Sequence, residues 1–278
     1  MKTGINAWSI KTDENFEEAF SHAKAAGFDG IELNVDANNA GHSLTFGTTD
    51  AELDEIMAIS EKHSLPVSSI STSLWAGKMG QGTAESMKFC EKLLETQLRF
   101  AKHLGARGIL TVPGGMTDEI SLDRSYKNSV KTLKELTPLA EEYAKSGITT
   151  GVENVWNAFF TSPYDMARFV DELGAPFSAY FDLGNVIAFS RTEDWVEVIG
   201  SRISFCHIKG FRRNGGFNCG GVWCDISDSG IDWKRVRRAL DDSGYDGFVT
   251  AEVSKMQDDK SWETYYRDVC REIDDIVK

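Results

Sequence analysis

Four charged residues interrupt runs that are otherwise apolar. Glu153 lies in Gly151-Val152-Glu153-Asn154, Asp182 follows Tyr180-Phe181, His207 lies in Phe205-Cys206-His207-Ile208-Lys209, and Glu252 follows Thr250-Ala251. Burying a charge without a partner is very costly. If these four groups converge, three carboxylates repel one another unless something positive lies between them, and one divalent metal ion would remove that repulsion. Three carboxylate oxygens with one imidazole nitrogen make a harder donor set than a Cys/His zinc site. Such a set suits Mn²⁺, the expected ion, or Mg²⁺ or Co²⁺, and is also compatible with Zn²⁺. The alternative is that each residue is separately satisfied by hydrogen bonds or an ion pair.

Convergence requires a scaffold that brings strand ends together. Apolar, β-branched runs alternate along the chain with segments of helical period, the pattern of parallel strands joined by crossover helices. The strands are expected at 3–8, 30–35, 67–72, 107–112, 149–155, 177–183, 203–209 and 247–253. Helices are expected near 14–26, 50–63, 84–103, 122–145, 163–172, 192–199 and 232–242, with a last one at 262–277. Glycines close several helices, as in Ala25-Ala26-Gly27 and Lys145-Ser146-Gly147, because a residue just past a helix end often adopts the left-handed conformation. Eight strand–helix units predict an α/β fold of the (β/α)₈ TIM barrel type, one domain over residues 1–278. The length suits this, since such barrels run to about 250 residues. Strand side chains alternate faces, so each of the four charged residues can point inward while its neighbours pack against helices. Loops that follow strands in such a barrel sit on the active-site face. The longest of them, the glycine-rich stretch 210–231, is therefore expected to be a functional loop.

Bulk properties exclude several classes. The formal net charge is −13, with 30 Lys and Arg against 43 Asp and Glu, which argues against nucleic acid, where cationic contacts to phosphate dominate affinity. No stretch approaches the roughly 18 apolar residues of a membrane span, and the N-terminal run lacks the apolar core of a signal peptide. Five scattered cysteines, an odd number, read most simply as reduced thiols, and a cytoplasmic location is expected. Cys219 and Cys224 are close in sequence, but no second pair completes a zinc site.

On these residues the chain resembles the xylose isomerase-like barrels of the sugar phosphate isomerase/epimerase group, which includes D-tagatose 3-epimerase and L-ribulose-5-phosphate 3-epimerase. The resemblance spans nearly the whole chain. Its most specific parts are Val152-Glu153-Asn154, Tyr180-Phe181-Asp182-Leu183-Gly184-Asn185, His207-Ile208-Lys209, and Gly244-Tyr245-Asp246-Gly247 ahead of Ala251-Glu252. It implies that Glu153, Asp182, His207 and Glu252 ligate one divalent metal, and that Glu153 and Glu252 also act as acid and base. Epimerising a ketose requires removing a proton from the carbon beside the carbonyl. A metal acting as Lewis acid stabilises the resulting enediolate, and two carboxylates on opposite faces can take and return the proton. The expected partner is a small sugar or sugar phosphate, and the resemblance implies a homodimer or homotetramer.

Further residues are candidate substrate contacts. Arg213 follows His207 at the offset of a substrate-contacting Arg in this group, and Lys209 shares the face of His207. Asn185 stands where the tagatose type places a His, and Phe159 where it has a Glu, so the free-sugar specificity does not carry over directly. Glu32, with Asn34, ends the second strand. Trp75, Trp156 and Trp223 fall in or near active-site loops, where they could stack on a sugar or close the pocket. Thr161 and Ser162 precede a helix whose start could hold an anion or be plainly capped. Two other activities remain open. One is a metal-dependent lyase dehydrating a keto-inositol or dehydroshikimate. The other is an endonuclease IV-like nuclease, disfavoured by charge and by only five His.

Overall fold

In the computed structural model, eight parallel strands close into a barrel with neighbours in the order β1-β10-β7-β6-β5-β4-β3-β2, β2 pairing back to β1. The structure describes residues 1–37, 40–257 and 259–278. In chain order the elements are β1 (Lys2–Asn6), α1 (Phe16–Ala26), β2 (Gly30–Asn34), α2 (Asp50–His63), β3 (Val67–Ser71), α3 (Ala84–His103), β4 (Gly108–Thr111) and α4 (Leu122–Ala144). They continue with β5 (Thr149–Glu153), α5 (Pro163–Leu173), β6 (Phe177–Asp182), α6 (Thr192–Ile199), β7 (Ile203–Ile208), β8 (Gly210–Arg213), β9 (Gly221–Cys224), α7 (Trp233–Asp242), β10 (Phe248–Ala251) and α8 (Trp262–Val277). The expected alternation of strand and helix is the observed one.

Differences lie at the ends of elements. The first strand stops at Asn6 because the Asn6 side chain accepts from the Trp8 amide at 2.7 Å and turns residues 7–9 into a short 3-10 helix. The first helix starts at Phe16, where Asn15 and Glu18 form a reciprocal capping box, each side chain satisfying an amide that the helix start leaves orphaned. The stretch 210–231 is more ordered than a glycine-rich loop. Most of it forms an antiparallel ribbon, β8 paired with β9, with Phe211 opposite Trp223 and Gly210 opposite Cys224.

Alternation sorts the barrel strands. On β7, Phe205 and His207 share the inward face; on β6, Tyr180 and Asp182; on β5, Gly151 and Glu153; on β2, Glu32 and Asn34. The outward residues, such as Val152, Phe181, Cys206 and Ile208, are buried beneath the helices. Phe205 closes the lower interior. A Cβ on Gly108 across the barrel would overlap its ring, so only glycine leaves room there. Inward polarity therefore concentrates above this plug, towards the C-terminal ends of the strands. No helix among the described residues is long and apolar enough to cross a membrane.

Candidate active site

Asp182 and His207 are register partners on β6 and β7, and Thr250 of β10 pairs with His207. Glu153 ends β5. Glu252 follows β10 by one residue, and its amide donates to the Ile208 carbonyl at 3.1 Å, extending the ladder past the strand. Four neighbouring strand ends thus bring together the four expected residues. One ligand atom from each lies within 4.8 Å of the other three, the span that a single divalent ion covers with bonds of about 2.0–2.6 Å.

The valences of these side chains are divided. Asp182 Oδ1 accepts from the backbone amides of Gly184 and Asn185, each at 2.8 Å, whereas its buried Oδ2 makes no hydrogen bond among the described residues. It lies instead 2.9 Å from the Lys209 ammonium, which is also 3.0 Å from Glu252 Oε2. His207 Nε2 faces Glu32 Oε1 at 2.6 Å, while Nδ1 faces Glu153 Oε1 at 3.1 Å and Glu252 Oε2 at 3.0 Å. With Nε2 engaged by Glu32, Nδ1 is the nitrogen that faces the other carboxylates of the cluster. Asp182 Oδ2 facing Lys209, the imidazole Nδ1 facing Glu153 and Glu252, and those two carboxylates make a donor set that suits a hard divalent ion.

The electrostatics differ across the cluster. Burial, together with the neighbouring Glu252 and Asp182 charges, outweighs His207 and pushes the Glu153 carboxyl up to about 7. Burial acts the same way on Glu252, but the Lys209 ammonium and His207 outweigh it and hold that carboxyl at about 2. Burial would lower His207, yet Glu32, Glu153 and Glu252 raise it well above the ordinary imidazole value.

The expected substrate contacts divide. Lys209 belongs to the cluster through its two ion pairs, and its stem occupies space that a side chain at position 184 would fill: a Cβ on Gly184 would collide with Lys209 Cγ. Arg213 is half-buried on the ribbon, donates to the Ile187 carbonyl at 2.9 Å and covers the Phe217 ring. Asn185 is buried, and its side-chain amide donates to the Asn154 carbonyl at 2.9 Å, bracing the end of β5 against the end of β6. Glu32 is fully buried beneath His207. Asn6 and Ser69 each donate to it at 2.5 Å, and the Tyr180 hydroxyl donates to it as well. It orients the imidazole and presents no surface to a substrate. Trp75 is likewise a core residue, fully buried, its indole N–H donating to Gln97 Oε1 at 2.8 Å and to the Leu110 carbonyl at 3.0 Å. Ser162 caps α5 by accepting from the Tyr164 amide at 3.2 Å, and Phe159 packs among Phe160, Phe169 and Tyr126.

Tyr180 is a part of the site that the charged residues alone do not point to. Its signal in the sequence is its spacing: it precedes Asp182 by two and therefore shares its face. Asn154 likewise brackets Asp182: its Oδ1 accepts from the Asp182 amide at 2.8 Å and its Nδ2 donates to the Asp182 carbonyl at 3.0 Å.

The sequence model of the Xylose isomerase-like TIM barrel family matches residues 20–276. The chain belongs to that family. Among curated proteins no sequence matches. Solved structures of the same fold include D-psicose 3-epimerase with D-tagatose from Clostridium cellulolyticum H10 (15% identity, 99% of this chain and 97% of that one, TM-score 0.78). The IOLI protein with a bound zinc atom is also similar (17% identity, 100% and 98% covered, TM-score 0.79). So is the 3-keto-D-glucoside 4-epimerase YcjR from E. coli (19% identity, 99% of both chains, TM-score 0.74). At these identities the likeness is one of fold, and within this xylose isomerase-like barrel the chemistry must be argued from the side chains.

Proposed function

We propose that this xylose isomerase-like barrel is a metal-dependent ketose 3-epimerase, with Glu153, Asp182, His207 and Glu252 holding one divalent ion, Mn²⁺ by preference. The observation that carries the reading is the meeting of four ligand atoms within 4.8 Å, with its two glutamates on strands separated by β6 and β7. The sugar epimerases among the structures of like fold support the same class of reaction. A bound ion would supply Lewis-acid polarisation of the ketose carbonyl. Glu153 and Glu252 approach His207 Nδ1 from two strands and would flank a substrate on two sides. One carboxylate takes the proton from C3 and the other returns a proton to the opposite face. Such an arrangement suits inversion at one carbon better than carrying a proton along one face between two carbons. Asp182 stays fixed by its two backbone donors, and His207 stays fixed by Glu32.

The test is a panel of ketoses and ketose phosphates incubated with Mn²⁺ in D₂O and followed by NMR. Solvent deuterium is expected at C3 of both substrate and product ketose, without aldose. Deuterium only at C1 or C2 with aldose accumulating would establish an aldose–ketose isomerase instead. A dehydrated product would establish a lyase.

A further inference from the structure

Three aromatic rings stand beside the cluster and take no part in the chemistry above. Trp156, from the segment after β5, lies 5.2 Å from the Phe211 ring and 5.1 Å from the Trp223 ring, and Phe211 and Trp223 lie 5.1 Å apart across the ribbon. Phe211 is buried, but Trp156 is 53% exposed and Trp223 42% exposed. Two adjoining indoles left half in water form an apolar surface that needs an explanation. A cavity of about 190 Å³ is lined by Glu252 and Lys209 of the cluster and by Trp223 and Met256. Lys209 links them directly, its ammonium 3.0 Å from Glu252 and 5.6 Å from the centre of the Trp223 ring.

Ligand cavities usually measure roughly 300–1,000 Å³, so a substrate larger than one ring must extend beyond this cavity, past Trp223, which lines it, and Trp156, which packs on Trp223. Their faces carry the negative side of the ring quadrupole and complement the C–H face of a neutral ring. An anion is a poorer match. Lys209 is already held by Asp182 and Glu252, Arg213 by the Ile187 carbonyl and the Phe217 ring, and the chain as a whole is strongly acidic.

We infer that Trp156 and Trp223 form a binding site for a second, uncharged sugar ring, so that the substrate is a ketose with a free carbonyl that carries a glycosyl group on another of its hydroxyls, and not a ketose phosphate. This rests on the proposed epimerase reading and names its substrate class.

The test compares binding of fructose, fructose 6-phosphate, lactulose and isomaltulose to the Mn²⁺-loaded protein by saturation-transfer NMR and tryptophan fluorescence. At least one disaccharide is expected to bind about tenfold more tightly than fructose, with that ratio collapsing towards one in Trp156→Ala and Trp223→Ala. Trp156→Phe keeps a stacking face and is expected to restore most of the ratio, which a merely misfolded rim would not. Tightest binding by the phosphate ester, or a disaccharide ratio unchanged in both alanine variants, overturns the inference. So does a dimer that Trp156→Ala dissociates while the ratio stays intact, since the rings then belong to a second copy of the chain. Deuterium exchange into fructose, measured in parallel, reports on the epimerase reading alone: exchange present with the ratio absent sinks only the glycoside site.

Discussion

In the half of the barrel built from β5, β6, β7 and β10, the inward strand ends carry Glu153, Asp182, His207 and Glu252, each with a ligand atom turned to a common centre. In the other half, β1 to β4, the inward positions of β1, β2 and β3 carry Asn6, Glu32, Asn34, Ser69 and Ser71, all buried. There Asn6 donates to Glu32 at 2.5 Å and to Ser71 Oγ at 3.1 Å, Ser69 donates to Glu32, and the amides of Asn6 and Asn34 face each other. Both halves bury polar groups. One half closes them into a network of neutral donors around Glu32, and the other gathers charged groups that contact one another around a common centre. Buried polarity alone thus does not mark a site; the distinguishing feature is the convergence of three carboxylates and an imidazole on one centre. Glu32 joins the halves. Burial would raise its carboxyl, but His207, Ser69 and Tyr180 outweigh that and hold it below the usual range, so it stays a carboxylate facing His207 Nε2.

The sharpest break in this comparison comes from the reacting half. Glu153→Gln and Glu252→Gln keep shape but cannot shuttle a proton, and general acid–base catalysis alone contributes about 10²–10⁴-fold. Both variants are expected to lose at least that much of kcat in deuterium exchange at C3. Full activity in either would make that glutamate a structural residue.

Glu32→Gln tests the link between the halves. Groups that orient a ligating histidine typically change metal affinity by about 10–100-fold, and a loss of that size is expected by titration with Mn²⁺, with the fold retained. An unchanged affinity would mean that the supporting half does not act on the ligand half.

How far the sequence reveals each half follows from the same contrast. A charge inside an apolar strand is visible in one dimension, which is why Glu153, Asp182, His207 and Glu252 are legible from the sequence alone. The eight strand–helix units are equally legible, because helical period and apolar runs are local. The role of Glu32 is not, since its partners Asn6, Ser69, Tyr180 and His207 come from four other strands and meet only once β1 closes on β2 and β10. Trp75 misleads for a related reason: it follows a strand, as substrate contacts do, but its indole N–H finds Gln97 on α3 and the Leu110 carbonyl on β4. The ribbon at 210–231 hides behind its glycines. These permit close approach, as at Gly210, where a Cβ would run into the Asp225 carbonyl oxygen.

Trp75→Phe gives the smallest functional effect expected. It removes the indole donor and leaves buried acceptors underused, at a cost of about 1–3 kcal/mol in stability. Thermal unfolding should show that loss while kcat/KM stays near wild type. A kinetic defect in a protein of undiminished stability would return Trp75 to the substrate.

A site of this kind requires one metal ion per chain. Mn²⁺ titration followed by electron paramagnetic resonance, with elemental analysis of the purified protein, is expected to give one tight site in the wild type, lost on chelation and severely weakened in both Asp182→Ala and His207→Ala. Wild-type affinity retained in both variants, or no site in the wild type, would contradict it.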